Sequence, residues 1–276
     1  MERCVVAFAP GHISGYFRRF DGPTTESTGS LGAGIVIDRG VTVTLRPAAT
    51  STAKVLSGEH PHLLLDAAKE LGITADITAQ ADMPIGAGFG MSAAALLATA
   101  YAANRLFDLG MSETELALFA HTFEVKHGTG LGDVAASAGS GIDVRTAAGI
   151  RGVTARIRDS RKITAVTLGP ISTPEIITSP STMQQVTAAF PAHVPTTLDE
   201  VMSNSRSFAE NSGLITPRVR SILDACDHAG LTASMTMLGE GVFAIGPAAE
   251  KVLSRFGTAY TFSAAETGPA IIHEVK

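Results

Sequence analysis

Apolar and polar positions alternate along Ile73 to Ala79: Ile73, Ala75, Ile77 and Ala79 on one side, Thr74, Asp76 and Thr78 on the other. That period of two predicts a half-buried strand. From Ser92 to Phe107 the pattern changes to an almost continuous alanine- and leucine-rich run, which predicts a helix buried on most of its surface. Upstream, Val5 to Ala9 predicts a short strand, and Pro10 to Gly34 is polar and glycine-rich enough to read as a long functional loop. Ile35 to Leu45 reads as a strand pair around Asp38-Arg39-Gly40, and Pro61 to Leu71 as a helix stopped by Gly72.

Downstream, Ser112 and Glu115 form a capping box, and Leu116, Phe119, Ala120 and Phe123 supply one apolar helical face before Gly128 ends it. A glycine-rich segment follows and runs into a strand at Ile142 to Arg145. Charged residues cluster from Arg151 to Lys162, which predicts a boundary ahead of a strand at Thr164 to Leu168. The second part carries a Thr197/Glu200 capping box and a Thr216-Pro217 helix start ended by Gly230. Strands at Thr232 to Met237 and Val242 to Ile245 flank a tight turn, a helix covers Ala248 to Phe256, and strands lie near Tyr260 and Ile271.

Between the strand at Ile73 and the helix at Ser92 lies Pro84-Ile-Gly-Ala-Gly-Phe-Gly-Met-Ser-Ala-Ala94. Alternate glycines let backbone approach an anion closely, and the N–H groups and dipole of the following helix start favour negative charge. Strand, glycine loop and helix together predict a nucleotide-phosphate cradle. No Gly-Lys-Ser/Thr follows the glycines, and Met91 stands where a dinucleotide fingerprint has its third glycine, so neither common loop type fits. A plain tight turn ahead of a close-packed alanine helix is the alternative.

With 276 residues, 45% of them hydrophobic, the chain can build one large domain or two lobes around a packed core. A net charge of −5 with no Lys/Arg cluster offers no field for nucleic acid. The longest apolar stretch, within Ala93 to Ala103, is about half of the roughly 20 residues a membrane span needs, so no membrane partner is expected. The first residues are broken early by Pro10, Gly11 and His12, unlike a secretory signal, and the expected location is the cytoplasm. Cys4 and Cys226, the only cysteines, are expected to be buried, reduced thiols.

Three ordered segments resemble motifs of the GHMP kinases, the superfamily of galactokinase, homoserine kinase and mevalonate kinase. Ala7 to Phe17 (AFAPGHISGYF) resembles the first motif, Pro84 to Ala94 the central ATP-phosphate motif, and Ala233 to Ile245 (ASMTMLGEGVFAI) the C-terminal glycine motif. PGHISGYF, GSLGAGIVIDRGV, GLITPRVRSIL and ASMTMLGEGVFAI are most similar to the archaeal pantoate kinases. The resemblance implies an α+β, two-lobed GHMP-kinase-like fold with the active site in the cleft between an N-terminal lobe (1–155) and a C-terminal lobe (156–276). It implies ATP and Mg²⁺ as cofactors, and transfer of a phosphoryl group to the primary hydroxyl of (R)-pantoate in coenzyme A synthesis. It leaves a homodimer open.

On the same resemblance, Pro84, Gly86, Ala87, Gly88, Phe89, Gly90, Met91, Ser92, Ala93 and Gly239 are candidates for binding the nucleotide. Ser92 and Glu124 match residues that touch Mg²⁺, and Asp133 matches the candidate base or orienting group for the acceptor hydroxyl. Read without it, Ser92 is a helix N-cap, Glu124 an ordinary surface glutamate and Asp133 a helix cap. His12 stands where many members carry Lys or Arg; it is a candidate donor to phosphate or substrate, or a satisfied structural histidine. Leu238 and Glu240 replace a denser glycine run. Pantoate is a carboxylate with two hydroxyls, so Arg145 is the first candidate cation, followed by Ser14, His127 and Ser30. Another small alcohol, or a silent nucleotide-binding protein, remains an alternative.

Overall fold

A computed structural model describes residues 3–56, 61–170 and 179–275 of the chain. Eleven strands among these residues form two sheets. The first is built around a long antiparallel pair, β1 (Cys4–Phe20) and β2 (Gly29–Pro47). On β2 are paired β4 (Ala75–Ala81), which carries the parallel β3 (Thr52–Val55), and β5 (Ile142–Arg145), which carries β6 (Val153–Ile157). The second sheet has the order β10 (Ala259–Phe262), β7 (Ile163–Pro170), β9 (Gly239–Ile245), β8 (Thr232–Met235). The last strand, β11 (Ala270–Val275), returns to the first sheet and pairs with β1.

Two expectations fail at the first hairpin. The Pro10–Gly34 stretch is strand over most of its length, and Ile35 to Leu45 lies within one continuous strand instead of two. Glycines misled the reading, because here they admit neighbours and do not break the ladder. Gly34 is the clearest case: a Cβ there would lie 2.2 Å from His12 Nε2. Register shifts at Pro10/Gly11 and Ser14/Tyr16 bracket His12 to Ser14. Such irregularities re-aim side chains beside functional sites.

The helices among the described residues are α1 (Pro61–Glu70), α2 (Met91–Phe107), α3 (Glu113–His127), α4 (Asp133–Ser137), α5 (Pro180–Ala188), α6 (Leu198–Asn211), α7 (Pro217–His228) and α8 (Ala249–Leu253). α2 packs on β1 and β2 and is buried on nearly all sides, as its apolar composition requires. The Ser112 capping box forms in full. At α6 only half of the expected box forms: Thr197 accepts from Glu200 N–H, while the Glu200 carboxylate turns back to Thr196. α5, with Ser179 as cap and Pro180 in its first turn, carries little apolar periodicity and had no sequence prediction. One continuous apolar core runs beneath both sheets. Among the described residues no helix is long and apolar enough to cross a membrane.

Candidate active site

The Pro84–Gly90 loop enters α2 through alternate left-handed glycines, with φ of +76° at Gly86, +82° at Gly88 and +65° at Gly90. Gly90 is the N-cap residue and no side chain caps the helix, so Ser92 does not serve as the cap. The first-turn N–H groups are therefore left without a capping side chain. Among the described residues, the N–H groups of Gly86, Gly88, Phe89 and Gly90 also donate to no acceptor. Buried Ala87, Phe89 and Met91 pin the loop from below, with the Phe89 ring edge-on to Tyr260 at 6.3 Å. The loop thus has fixed anchors and free donors, which is the form of an anion cradle.

The other two motifs converge on this loop. His12 N–H donates to the Phe89 carbonyl at 2.9 Å, and a Cβ at Gly239 would fall 2.2 Å from the Ala87 carbonyl oxygen. Beside Gly239, Leu238 takes φ +61°, an unusual conformation for a branched side chain. A cleft opens between these parts. It is lined by Gly86, Gly88, Gly90, Met91, Ser92 and Ala93 from the loop and helix start, and by Ser14, Ser30, Asp133 and Leu238 opposite.

Behind Asp133 lies a chain of charges. Asp133 opens α4, whose cap is Gly132, so its carboxylate is not the helix cap. Asp133 Oδ1 instead accepts from His12 Nδ1 at 2.7 Å. His12 Nε2 is bonded to Asp143 Oδ1 at 2.8 Å, and Arg145 donates to Asp143 Oδ2. His12, Asp143 and Arg145 are buried, while the Asp133 side chain keeps 22% of its surface exposed. Burial pushes the His12 imidazole down, but the two facing carboxylates, Asp143 foremost, outweigh it and hold it above its usual 6.5. Burial pushes the Asp143 carboxyl up, and Arg145 and His12 override that and hold it far below the usual range.

Comparison with known proteins agrees with this geometry. The GHMP kinases N-terminal domain matches residues 60–141, which contain the glycine loop and Asp133. The chain is 44% identical, over 97% of its length and 96% of the relative's, to a pantoate kinase of Methanospirillum hungatei. It is 33% identical over 86% of its length and 91% of the relative's to a pantoate kinase of Methanocaldococcus jannaschii. The chain belongs to the pantoate kinase family of GHMP kinases. Its fold is that superfamily's α+β fold: a solved phosphotransferase related to the CoA biosynthesis pathway superposes with a TM-score of 0.85 at 26% identity, covering 97% of this chain and 98% of that one.

For a GHMP kinase the placement of the remaining candidates is uneven. Glu124 is no surface residue: it is wholly buried, and its Oε1 accepts from Asp133 N–H at 3.1 Å and Val134 N–H at 3.2 Å. It thereby fixes the start of α4 and with it the Asp133 carboxylate. Its Oε2 lies 3.4 Å from His121 Nδ1 and accepts no hydrogen bond. Desolvation raises the Glu124 carboxyl above 4.5, against the pull of His121. A Cβ at Gly130 would lie 2.5 Å from Glu124 Oε1 and 2.9 Å from Asp133 Oδ2, so both carboxylates face one point.

Arg145 does not line the cleft, yet its Nε and Nη2 are buried without a hydrogen-bond partner. A Cβ at Gly132 would come within 2.4 Å of Ser30 Oγ and 3.1 Å of Arg145 Nε, which puts the guanidinium just behind the cleft wall. His127 is not brought to the site: exposed at the end of α3, it stacks on Phe123 at 5.2 Å. It occupies the last turn of the helix that Gly128 ends, as the sequence predicts. Asp143 was missed altogether. A carboxylate inside a four-residue, fully buried strand, two positions from an arginine and so on the same face, was the available signal.

Proposed function

We propose that this protein transfers the γ-phosphoryl group of ATP to the primary hydroxyl of (R)-pantoate, yielding 4-phosphopantoate and ADP for coenzyme A synthesis in the cytoplasm. The observation that carries the reading is the meeting, in one cleft, of a free-donor glycine loop and Asp133, in a chain alike over nearly its whole length to a pantoate kinase. The loop N–H groups and the start of α2 hold the nucleotide phosphates. An apolar hollow lined by Val41, Leu63, Leu64 and Ile85 shares Met91 and Ser92 with the cleft.

The acceptor oxygen attacks the γ-phosphorus in line, the bond to the bridging oxygen of ADP breaks, and the hydroxyl proton passes to Asp133. A loose transition state makes positioning the larger part of the catalysis. Ser92 lines the cleft and Glu124 Oε2 is a buried carboxylate oxygen that accepts no hydrogen bond; a hydroxyl and a carboxylate are oxygen donors of the kind Mg²⁺ takes, and these two residues would hold it. No cluster of three or more His, Cys, Asp or Glu able to hold a metal occurs among those residues, so nucleotide phosphates would complete the coordination. When bound, the ion neutralises charge on the phosphate oxygens. Arg145, with two unpartnered guanidinium nitrogens, supplies the positive field for the pantoate carboxylate, and Ser14 and Ser30 supply hydroxyls.

The test is ADP release with Mg²⁺-ATP against (R)-pantoate, homoserine, mevalonate and galactose. Release with pantoate alone is expected. Consumption of another alcohol with pantoate untouched would overturn the substrate, and no release with any acceptor would count against the kinase reading itself.

A further inference from the structure

Asp143 has no task in the phosphoryl transfer itself. It does not line the cleft, and it is fully buried. An ionised carboxylate in that position is costly unless its partners are well placed. Those partners show what it serves. Neutralising Arg145 occupies only Oδ2; Oδ1 is turned to His12 Nε2. The strands are arranged for this contact. His12 stands on β1 and Asp143 on β5, with β2 between them, and the β2 residue opposite Asp143 is Gly34. Any side chain at Gly34 would meet the imidazole ring, so the bare position is what lets His12 reach across β2 to β5.

Both ring nitrogens of His12 therefore face carboxylates, Asp133 at 2.7 Å and Asp143 at 2.8 Å. An ionised carboxylate only accepts, and a neutral imidazole has one N–H, so the two bonds together require both nitrogens to carry protons. A histidine with an ordinary value near 6.5 keeps both ring protons at neutral pH only where such partners hold them.

We propose that Asp143 is a positioning residue for phosphoryl transfer: backed by Arg145, it holds His12 with both ring nitrogens protonated against Asp133, so that a histidine supplies a fixed cation beside the Asp133 carboxylate. The role of Asp143 in the reaction rests on the kinase reading of the cleft; the charge state of His12 does not. Asp133 from α4 and Asp143 from β5 are the charged groups facing the ring. β2 presents Gly34, the glycine loop presents backbone, and Arg145 and Arg156 face Asp143 from its other side. The His12 contribution is present at low and neutral pH and is lost as pH rises through its elevated value, so activity fails on the alkaline side.

Two measurements on the full chain test this. The first is the ¹⁵N spectrum of the histidine rings at about pH 8, where an ordinary histidine near 6.5 is neutral, with His12 assigned by its absence in His12→Lys. Both His12 nitrogens are expected to be protonated in the wild type and one to be bare in Asp143→Asn. A neutral His12 in the wild type would overturn the proposal whatever the substrate proves to be. The second is a cycle. Asp143→Asn should lower kcat by about 10- to 100-fold, the range typical when a residue that orients a site group is lost. KM for ATP should change less, and the alkaline limb should move to lower pH. In a His12→Lys background the same substitution should cost under about threefold, since lysine starts from an ordinary value near 10.4 and keeps Asp133 as a partner, so it stays charged at neutral pH without Asp143. Equal losses in both backgrounds would make Asp143 a structural counter-ion of Arg145 and nothing more. If Asp143→Asn does not fold, the wild-type spectrum alone still decides.

Discussion

Two of the protein's charge networks, each linking carboxylates to cations, are set in opposite surroundings. At the cleft, Asp133, His12, Asp143 and Arg145 run from a partly exposed carboxylate into the interior. On the outer faces of α6 and α7, Arg206, Glu210, Arg220 and Asp227 form a network of similar connectivity whose side chains keep 24% to 48% exposure. Exposed pairs contribute about 0–1 kcal/mol each, because solvent screens them. Buried charges carry a desolvation penalty of several kcal/mol per ion that stability alone does not explain. The first network is thus where chemistry is to be sought, and the second is ordinary surface stabilisation.

Substitutions should separate the two sharply. The largest effect is expected at Asp133. Asp133→Asn should lower turnover by about 10² to 10⁴-fold, the usual contribution of a general base. The fold should persist, since Gly132 is the cap of α4 and Glu124 holds its first N–H groups. Steady-state turnover and thermal unfolding on one preparation check this; near wild-type turnover in a folded variant would erase the contrast.

Next comes Gly90→Ala. Its Cβ would lie 2.8 Å from His12 N with φ at +65°, a strain of roughly 1–2 kcal/mol. Tm should fall by about 2–8 °C and ATP use should suffer disproportionately, because the loop and His12 move together. A stability loss with unchanged KM for ATP would detach the loop from the site.

A smaller, conditional loss is expected for Ser92→Ala and Glu124→Gln, on the order of tenfold at limiting Mg²⁺. Excess Mg²⁺ should recover part of it in Glu124→Gln. Titration of Mg²⁺ against rate is the check, and parallel curves for variants and wild type would leave Glu124 with its α4 contact alone.

The smallest effect belongs to the outer network. Hydrogen bonds from Arg220, then from Arg206, hold the Glu210 carboxyl down to about 2 from its usual 4.5. Its contribution is present above about 4.5 and is lost as pH falls through about 2. Glu210→Gln should leave turnover unchanged and lower stability near pH 7 by under about 1 kcal/mol, with the difference vanishing in acid. Urea unfolding across that range measures it, and a turnover defect would contradict the division between the networks.

Much of this was legible in the residues, and for identifiable reasons. The glycine loop could be read because alternate glycines directly ahead of an apolar helix form a local pattern with a definite backbone consequence, and α2 and the Ser112 cap because their signals are equally local. The β1–β2 pair was misread because a glycine in a strand looks like a glycine in a loop until the neighbour it admits is known; at Gly34 that neighbour is the His12 ring, whose own residue lies 22 positions upstream. Asp143 stayed hidden for the same reason. Its partner His12 is 131 residues distant, and nothing in a four-residue strand announces a contact across an intervening one.

The central claim is that this cleft phosphorylates the primary hydroxyl of pantoate, and proton-coupled ³¹P NMR of the product reads that bond directly. With the full chain, Mg²⁺-ATP and (R)-pantoate, the account predicts a new phosphomonoester resonance split into a triplet by the two methylene protons of the primary position. A doublet from the single proton of the secondary position, or no new ester signal while ATP is consumed, would contradict it.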